Sequence, residues 1–453
     1  MQTYEQAIEH IGFGRFQKKL MLVCGLGWAA DAMEVLLISF ALPALSAEWN
    51  LSNAEKGWLG TAIFLGMLAG AWFWGRLSDR LGRKFGFIST VAIDSIFGLL
   101  SAFSPSFIWL VIFRALTGFG VGGTLPVDYS IFSEYLPTRQ RGRNLVLLEA
   151  FWALGSIAAA GLAWLVVPTL GWRWLLALSA VPGLIIFFIR RDIPESPRYL
   201  LANGQPEAAR KVLEEVARQN GVTLSPEPLA IPPAARPAKT SDLFNPALRR
   251  TTLLLWGLWF AISLGYYGVF TWLPSYFKAS GMEMLPVYQN TFLLALAQLP
   301  GYFSAAWLVE RWGRRRTLAV YLAASGVFTY LFAAVNGLNF MVGMGAWMSF
   351  FTLGAWGVIY TITPEAYPTH LRGTGMGAAS SMTRLAGAIA PTLGAALMGV
   401  SLLIPLTIYA VAYLIAGGMA LALPHETRAR PLADTLQEAS AAAAAPSHER
   451  MHL

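Results

Sequence analysis

Apolar residues come in runs of about 20 along this chain, each long enough to cross the hydrocarbon of a bilayer. Short polar or charged stretches separate them. Twelve such runs are predicted as spans: residues 20–43, 57–78, 85–104, 106–128, 145–168, 172–191, 251–273, 289–309, 317–335, 339–363, 374–398 and 401–423. Backbone groups in lipid must be satisfied within the segment, so each run is expected to be a helix. The pattern predicts an all-α integral membrane protein.

The polar breaks divide the chain into residues 1–191, a proline-bearing connector at 192–248, and residues 249–424. Within the connector, Pro206–Asn220 places Ala208, Val212 and Val216 at helical spacing among Glu207, Arg210, Lys211, Glu214 and Glu215. That is the pattern of a short amphipathic surface helix. Residues 222–240 are rich in proline and read as a flexible linker. The tail, 425–453, ends in an alanine run with scattered charges and is expected to be disordered or loosely helical.

Composition supports this class. The chain is 56% hydrophobic and 13% charged, against about 25% charged in an ordinary soluble domain. A net charge of +8 would suit a nucleic-acid partner, but its distribution argues against one. With the N-terminus cytoplasmic, only Lys56, Arg173 and Lys278 fall in outer loops, and Arg114 and Arg384 fall inside spans. The other Lys and Arg lie on the cytoplasmic side or at its edge, the positive-inside pattern, with both termini inside. The first span follows polar and mixed residues without a small-residue cleavage site and reads as a retained helix. Cys24 is the single cysteine, so no intrachain disulfide is expected. His10, His370, His425, His448 and His452 lie in loops or tails, so neither a buried metal nor a cofactor is expected. No nucleophile motif points to an enzyme.

Two blocks recur at a common offset of 231. Gly75-Arg-Leu-Ser-Asp79-Arg80-Leu-Gly82-Arg83-Lys84 returns as Ala306-Trp-Leu-Val-Glu310-Arg311-Trp-Gly313-Arg314-Arg315. Glu134, Pro137, Thr138, Arg141 and Gly142 return as Glu365, Pro368, Thr369, Arg372 and Gly373. The chain is therefore read as duplicated, and duplicated hydrophobic halves suggest a transporter with its site between them. Gly75 is small enough to let two helices approach closely, and Asp79 can pair with Arg80 or Arg83 or cap the next helix. The repeated acids and arginines fit a gate or latch, whereas Lys84, Arg315 and Arg316 fit plain positive-inside anchoring.

The first block resembles the signature loop of the major facilitator superfamily. Arg114-x-x-x-Gly118-x-Gly120 resembles a second motif of that superfamily. Pro194-Glu195-Ser196-Pro197-Arg198-Tyr199-Leu200 resembles the sequence after span six of sugar and organic-ion porters. Pro424-His425-Glu426-Thr427 departs from the sugar porters' ending, and span seven lacks their Gln-Gln-x-x-Gly pattern. Ala30-Asp31-Ala32-Met33-Glu34, Phe151-Trp152-Ala153-x-Gly155, and Tyr266-Tyr267-Gly268 with Trp272-Leu273-Pro274 resemble bacterial niacin permeases and synaptic-vesicle-protein relatives, near the organic anion and cation transporters. The resemblance implies twelve helices in two pseudo-symmetric six-helix bundles. It also implies a monomeric secondary transporter of the inner membrane working by alternating access.

Charges inside the spans mark candidate sites. Asp31 and Glu34 share a helix face, with Asp31 about 16 Å into its span at roughly 1.5 Å per residue. Intramembrane charges at that depth are costly and are usually retained at a pathway or a partner. The resemblance puts Arg114 near the first span, so an Asp31–Arg114 pair is expected: a proton-coupling site if it opens, a helix clamp if it does not. Glu34 and Glu149 are further proton candidates. Asp94 and Asp128 read as structural.

Arg384, near the middle of span eleven, needs an acceptor. The spans of the second half contain no carboxylate at that depth, so a substrate carboxylate is one candidate and helix carbonyls are the other. The resemblance to organic anion transporters favours the substrate. Trp152, Tyr266, Tyr267, Trp356 and Tyr360 could stack on a flat ring, and Gln298 could meet a ring nitrogen or hydroxyl. None of Asp31, Glu34, Arg114, Glu149 or Arg384 has a charged counterpart at the repeat offset. The expectation is proton-coupled symport of nicotinate or a related aromatic monocarboxylate. The alternative is a sugar or organic-cation porter of the same fold.

Overall fold

A computed structural model of the protein describes residues 2–229, 239–335, 337–368, 371–424 and 426. The helices are α1 (Tyr4–Ile11), α2 (Arg15–Trp49), α3 (Asn53–Leu81), α4 (Arg83–Ala102), α5 (Phe107–Glu134), α6 (Thr138–Leu170), α7 (Trp172–Arg190), α8 (Pro197–Ala202) and α9 (Pro206–Asn220). A 3₁₀ turn at Thr240–Phe244 leads to α10 (Arg249–Phe270), α11 (Leu273–Ala279), α12 (Met284–Trp312), α13 (Arg314–Ala334), α14 (Leu338–Glu365), α15 (Arg372–Met398) and α16 (Leu403–Ala422). Among the described residues, eleven of these helices are long and apolar enough to cross a membrane. The twelfth expected span is α15. At 27 residues it has the length, but Arg384 and a run of Gly, Ser and Thr dilute its apolar character.

Several helices outrun the predicted spans because their polar ends stay helical beyond the apolar stretch. The seventh span is shorter than expected. It ends at Phe270, and Trp272-Leu273-Pro274 opens the separate helix α11, with Pro274 in its first turn. Gly82 (φ 106°) and Gly313 (φ 88°) end α3 and α12 in the left-handed region. A side chain is disfavoured there, so these repeated glycines set the turns into α4 and α13.

The chain divides into two compact units. One comprises Met1–Ile38 with Ala62–Arg236, the other Ser39–Thr61 with Pro237–Leu453. In the first, α1 and α9 dock on the ends of α2 and α5 around a shared core containing Tyr4, Ile8, Ile11, Phe16, Ile131, Tyr135, Leu213 and Val216. The polar lead-in to the first span thus holds an unpredicted helix, started by a capping box between Thr3 and Gln6. The buried face of α9 is Ala209, Leu213, Val216 and Ala217, not Ala208, Val212 and Val216. Val212 packs at its margin, and Leu213 and Ala217 complete an apolar stripe one position on. The start of the proline-rich stretch is also ordered. Leu224 and Leu229 are buried, and Leu229 forms a parallel bridge with Gln2. Residues 230–238 and the tail at 425 and 427–453 lie outside the described residues.

In the second unit the end of α2 and the start of α3 belong with the later helices. Tyr288 Oη donates to the Phe40 carbonyl at 3.0 Å, and Thr61 Oγ1 donates to the Ala388 carbonyl at 2.8 Å.

Candidate functional site

The two repeated turns have the same construction. In the first unit the Glu195 carboxylate accepts the backbone N–H of Arg83 at 3.0 Å and of Lys84 at 3.1 Å. In the second, Glu426 accepts those of Arg314 at 2.8 Å and Arg315 at 3.0 Å. Each carboxylate meets free N–H groups and the positive end of a helix. The arginine of each turn then reaches the acid that closes a later helix. Arg83 lies 3.4 Å from Glu134 and Arg314 lies 3.1 Å from Glu365, with Glu310 at 3.2 Å from Arg314 as well. Arg141 donates to the Leu136 carbonyl at 3.3 Å and Arg372 to that of Pro364 at 3.0 Å. The Arg311 guanidinium stacks over Trp307 at 4.1 Å, and the Arg80 carbonyl accepts from Tyr199 Oη at 3.0 Å. The side chain of Asp79 lies outside the described residues. Gly75 does not mediate the expected close approach: a Cβ there would meet nothing within 4 Å. Close approaches fall instead at other glycines, among them the second motif's Gly118, where a Cβ would collide with the Ile63 carbonyl oxygen, and Gly120, where it would lie 2.6 Å from the Asp94 nitrogen.

The interior of the first unit holds a ladder of charges. Arg114 on α5 pairs with Glu34 at 2.6 Å, not with Asp31 as expected, and a second guanidinium nitrogen donates to the Glu34 carbonyl. Ser179 on α7 donates to the other Glu34 oxygen at 2.9 Å. Asp31 and Glu34 are three positions apart, and the later one comes level with Arg114. A second ion pair joins Arg190 to Asp128. Arg190 also donates to the Phe87 carbonyl at 2.7 Å and lies 4.0 Å over the Phe87 ring. The sequence placed Arg190 at the membrane edge, but it is fully buried at 0% exposure. Its position as the last residue of an apolar helix concealed this. Asp31 and Asp94 are buried as well, and each has an oxygen without a hydrogen-bond partner. Glu149 accepts from Trp28 Nε1 at 3.3 Å, and Trp28 packs against Trp152 with ring centroids 5.1 Å apart.

The second unit brings six aromatic side chains together. Trp259 meets Trp356 at 5.6 Å and Tyr360 at 4.9 Å. Tyr266 meets Trp356 at 5.9 Å, Tyr267 at 5.1 Å and Phe270 at 4.6 Å. Trp259, which the sequence pattern did not single out, packs against both Trp356 and Tyr360, which also meet each other at 5.9 Å, and it is anchored by Nε1 donating to Thr363 at 2.9 Å. A hydrogen bond from Ser263 to Thr383 at 3.1 Å fixes α15 against α10, between Trp259 and the two tyrosines. The neighbouring Arg384 is buried and donates to the Ser380 carbonyl at 3.2 Å. Between 249 and 424 the acids are Glu283, Glu310 and Glu365, all at helix ends. Gln298 Oε1 and Trp356 Nε1 are buried without hydrogen-bond partners.

Residues 27–437 match the model of the family described as sugar (and other) transporter. The chain belongs to this family of the major facilitator superfamily. It is 40% identical over 386 residues to a niacin transporter of Acinetobacter baylyi, covering 85% of this chain and 88% of that one. It is 38% identical over 414 residues to a putative niacin/nicotinamide transporter of Bacillus subtilis, covering 91% and 97%. The fold is similar to that of a D-xylose-proton symporter, with a TM-score of 0.72 at 18% identity, covering 91% of this chain and 99% of that chain. The protein is therefore a multi-pass membrane transporter and not an enzyme. In this transporter the repeated turns are the duplicated part, whereas, among the described residues, the charge ladder lies in the first unit and the aromatic cluster and Arg384 lie in the second.

Proposed function

We propose that this transporter moves a small aromatic monocarboxylate, nicotinate first, across the inner membrane by alternating access coupled to protons, with both termini cytoplasmic. The observation that carries the reading is Arg384. It is a buried cation, the acids between 249 and 424 all sit at helix ends, and its neighbour Thr383 is hydrogen-bonded to Ser263 of α10. A substrate carboxylate there would add a charge-assisted contact to the guanidinium. Trp356, Tyr360, Tyr266 and Tyr267 would stack on the ring, and the ring nitrogen would meet the unpartnered Trp356 Nε1. Gln298 would take a ring hydroxyl where one is present. Likeness to niacin transporters over most of the chain supports the same substrate class.

Within the first unit, Asp31 and its neighbours would carry the proton. The Arg83–Glu134 and Arg314–Glu365 pairs would act as latches that break and reform through the cycle. The test is uptake of nicotinate, glucose and a quaternary amine into proteoliposomes by wild type and Arg384→Ala. Nicotinate uptake is expected to fall by about tenfold to a hundredfold, the loss of one hydrogen-bonded charge contact. Unchanged nicotinate uptake, or transport of glucose or the amine in its place, would overturn the reading.

A further inference from the structure

We propose that Asp94 forms a carboxyl pair with Asp31 and that the two share one exchangeable proton, so that the coupling site is a dyad and not a single aspartate. This rests on the proton-coupled reading above, and assigns to Asp94 a part that neither its sequence context nor the repeat suggests.

Four helices of the first unit define the dyad. On α2, Gly27, Asp31 and Glu34 follow one another at about one helical turn. The Arg190–Asp128 pair fills the notch at Gly27, where a Cβ would collide with the guanidinium. The Glu34–Arg114 pair occupies the other end. On α4, Phe87 takes Arg190 at one end, and the Glu34 carboxylate lies over Gly98 at the other, 3.2 Å from where a Cβ would stand. Asp94 falls between them. On α7 the order is Arg190, Gly183, Ser179. Asp94 Oδ2 stands 3.7 Å from the Cβ position of Gly183, and Ser179 holds Glu34. On α5 the order is Asp128, Thr124, Gly120, Arg114. Thr124 faces Asp31, and Gly120 gives the Asp94 backbone its room. The ladder therefore has an ion pair at each end and two carboxyl groups in the middle.

Charge counting then decides the chemistry. Each arginine is matched by its own acid, Arg114 by Glu34 and Arg190 by Asp128. Asp31 and Asp94 remain: Asp31 lies within electrostatic reach of Asp94 and of the Arg190–Asp128 pair, and Asp94 within reach of the Glu34–Arg114 pair and Arg190. Both are buried, and each has an unpartnered oxygen. The nearby Cys24 thiol is uncharged when protonated and cannot balance them. Glu149 on α6 is turned to Trp28. Two carboxylates cannot both stay ionised side by side in a dry interior with no cation of their own. One proton bridging them, donated by one carboxyl and accepted by the other, removes one charge and supplies the missing hydrogen bond. Such a pair titrates as a unit. When the site is wetted, the O–H bond breaks to water and the proton leaves as hydronium.

The experiment is difference infrared spectroscopy of the purified transporter across a pH titration without substrate, reading the protonated-carboxyl stretching band. Wild type is expected to show a band worth one proton. Asp31→Asn and Asp94→Asn should each lose it, and Asp94→Glu should retain it at a shifted frequency. Thermal unfolding of each variant confirms the fold. A full-strength band in Asp94→Asn, or an unshifted one in Asp94→Glu, would overturn the dyad. Uptake driven by a pH gradient is measured separately in wild type. If it is absent, the coupled-transport reading fails, while the infrared result still decides whether the two aspartates share a proton.

Discussion

Glu195 and Glu426 stand 231 positions apart and play equivalent structural roles, since each carboxylate accepts the two backbone N–H groups that open the helix after a Gly-Arg turn. They extend the duplication to a third point that the repeated blocks do not contain. Replacing either with Gln keeps an acceptor but removes the charge at a helix N-terminus, a loss of about 0.3–1 kcal/mol. Thermal unfolding of the single variants and of the double variant measures this. The two effects should add, because the sites share no partner.

Glu34 and Arg114 make the most consequential ion pair. Glu34→Ala leaves Arg114 charged and buried, with an expected destabilisation of about 3–5 kcal/mol. Replacing both with apolar residues of similar volume should be far less damaging. Chemical denaturation of the two variants in the same detergent separates these cases. Equal losses would show that the pair itself does not hold α2 to α5.

Gly120 tests packing without altering a charge. A Cβ there would sit 2.6 Å from the Asp94 nitrogen and 2.7 Å from the Thr90 carbonyl, so α4 and α5 must separate to admit it. Gly120→Ala is expected to cost about 1–3 kcal/mol, as overpacking does. Gly75→Ala should be nearly silent. Comparing their unfolding midpoints checks the assignment of the close approach to the second motif.

The α1–α9 clasp should open at high pH. Burial, with a contribution from Glu134, pushes the Tyr4 phenol well above its ordinary value. A group raised in the folded state contributes stability below its unfolded pKa, about 10 for tyrosine, and loses it as pH rises further. Protease cleavage near the N-terminus should therefore accelerate above that pH in wild type. In Tyr4→Phe it should not, because the phenol is gone and Tyr4 Oη has no hydrogen-bond partner to lose.

Much of the fold was legible because lipid leaves few options. Apolar runs of the right length have to be helices, and the two Gly-Arg turns announced the duplication. The short helix α1 was readable in principle from Thr3 and Gln6 as a capping box, but its polar setting hid it. The candidate site was less legible. Asp31, Glu34, Arg114 and Arg384 stood out as costly charges in apolar runs. Arg190 did not, because a charge at the end of a run looks like an anchor. Trp259 did not either, because one tryptophan in an aromatic-rich helix carries no signal of its own.

The sequence by itself determined the class, the spans and the repeat, since these follow from hydropathy and spacing along one dimension. Only the tertiary structure decided which charges meet. Pairing depends on the relative height and rotation of separate helices, and a shift of one turn transfers Arg114 from Asp31 to Glu34. That shift leaves Asp31 buried without the arginine expected for it, a consequence of packing that no local pattern encodes.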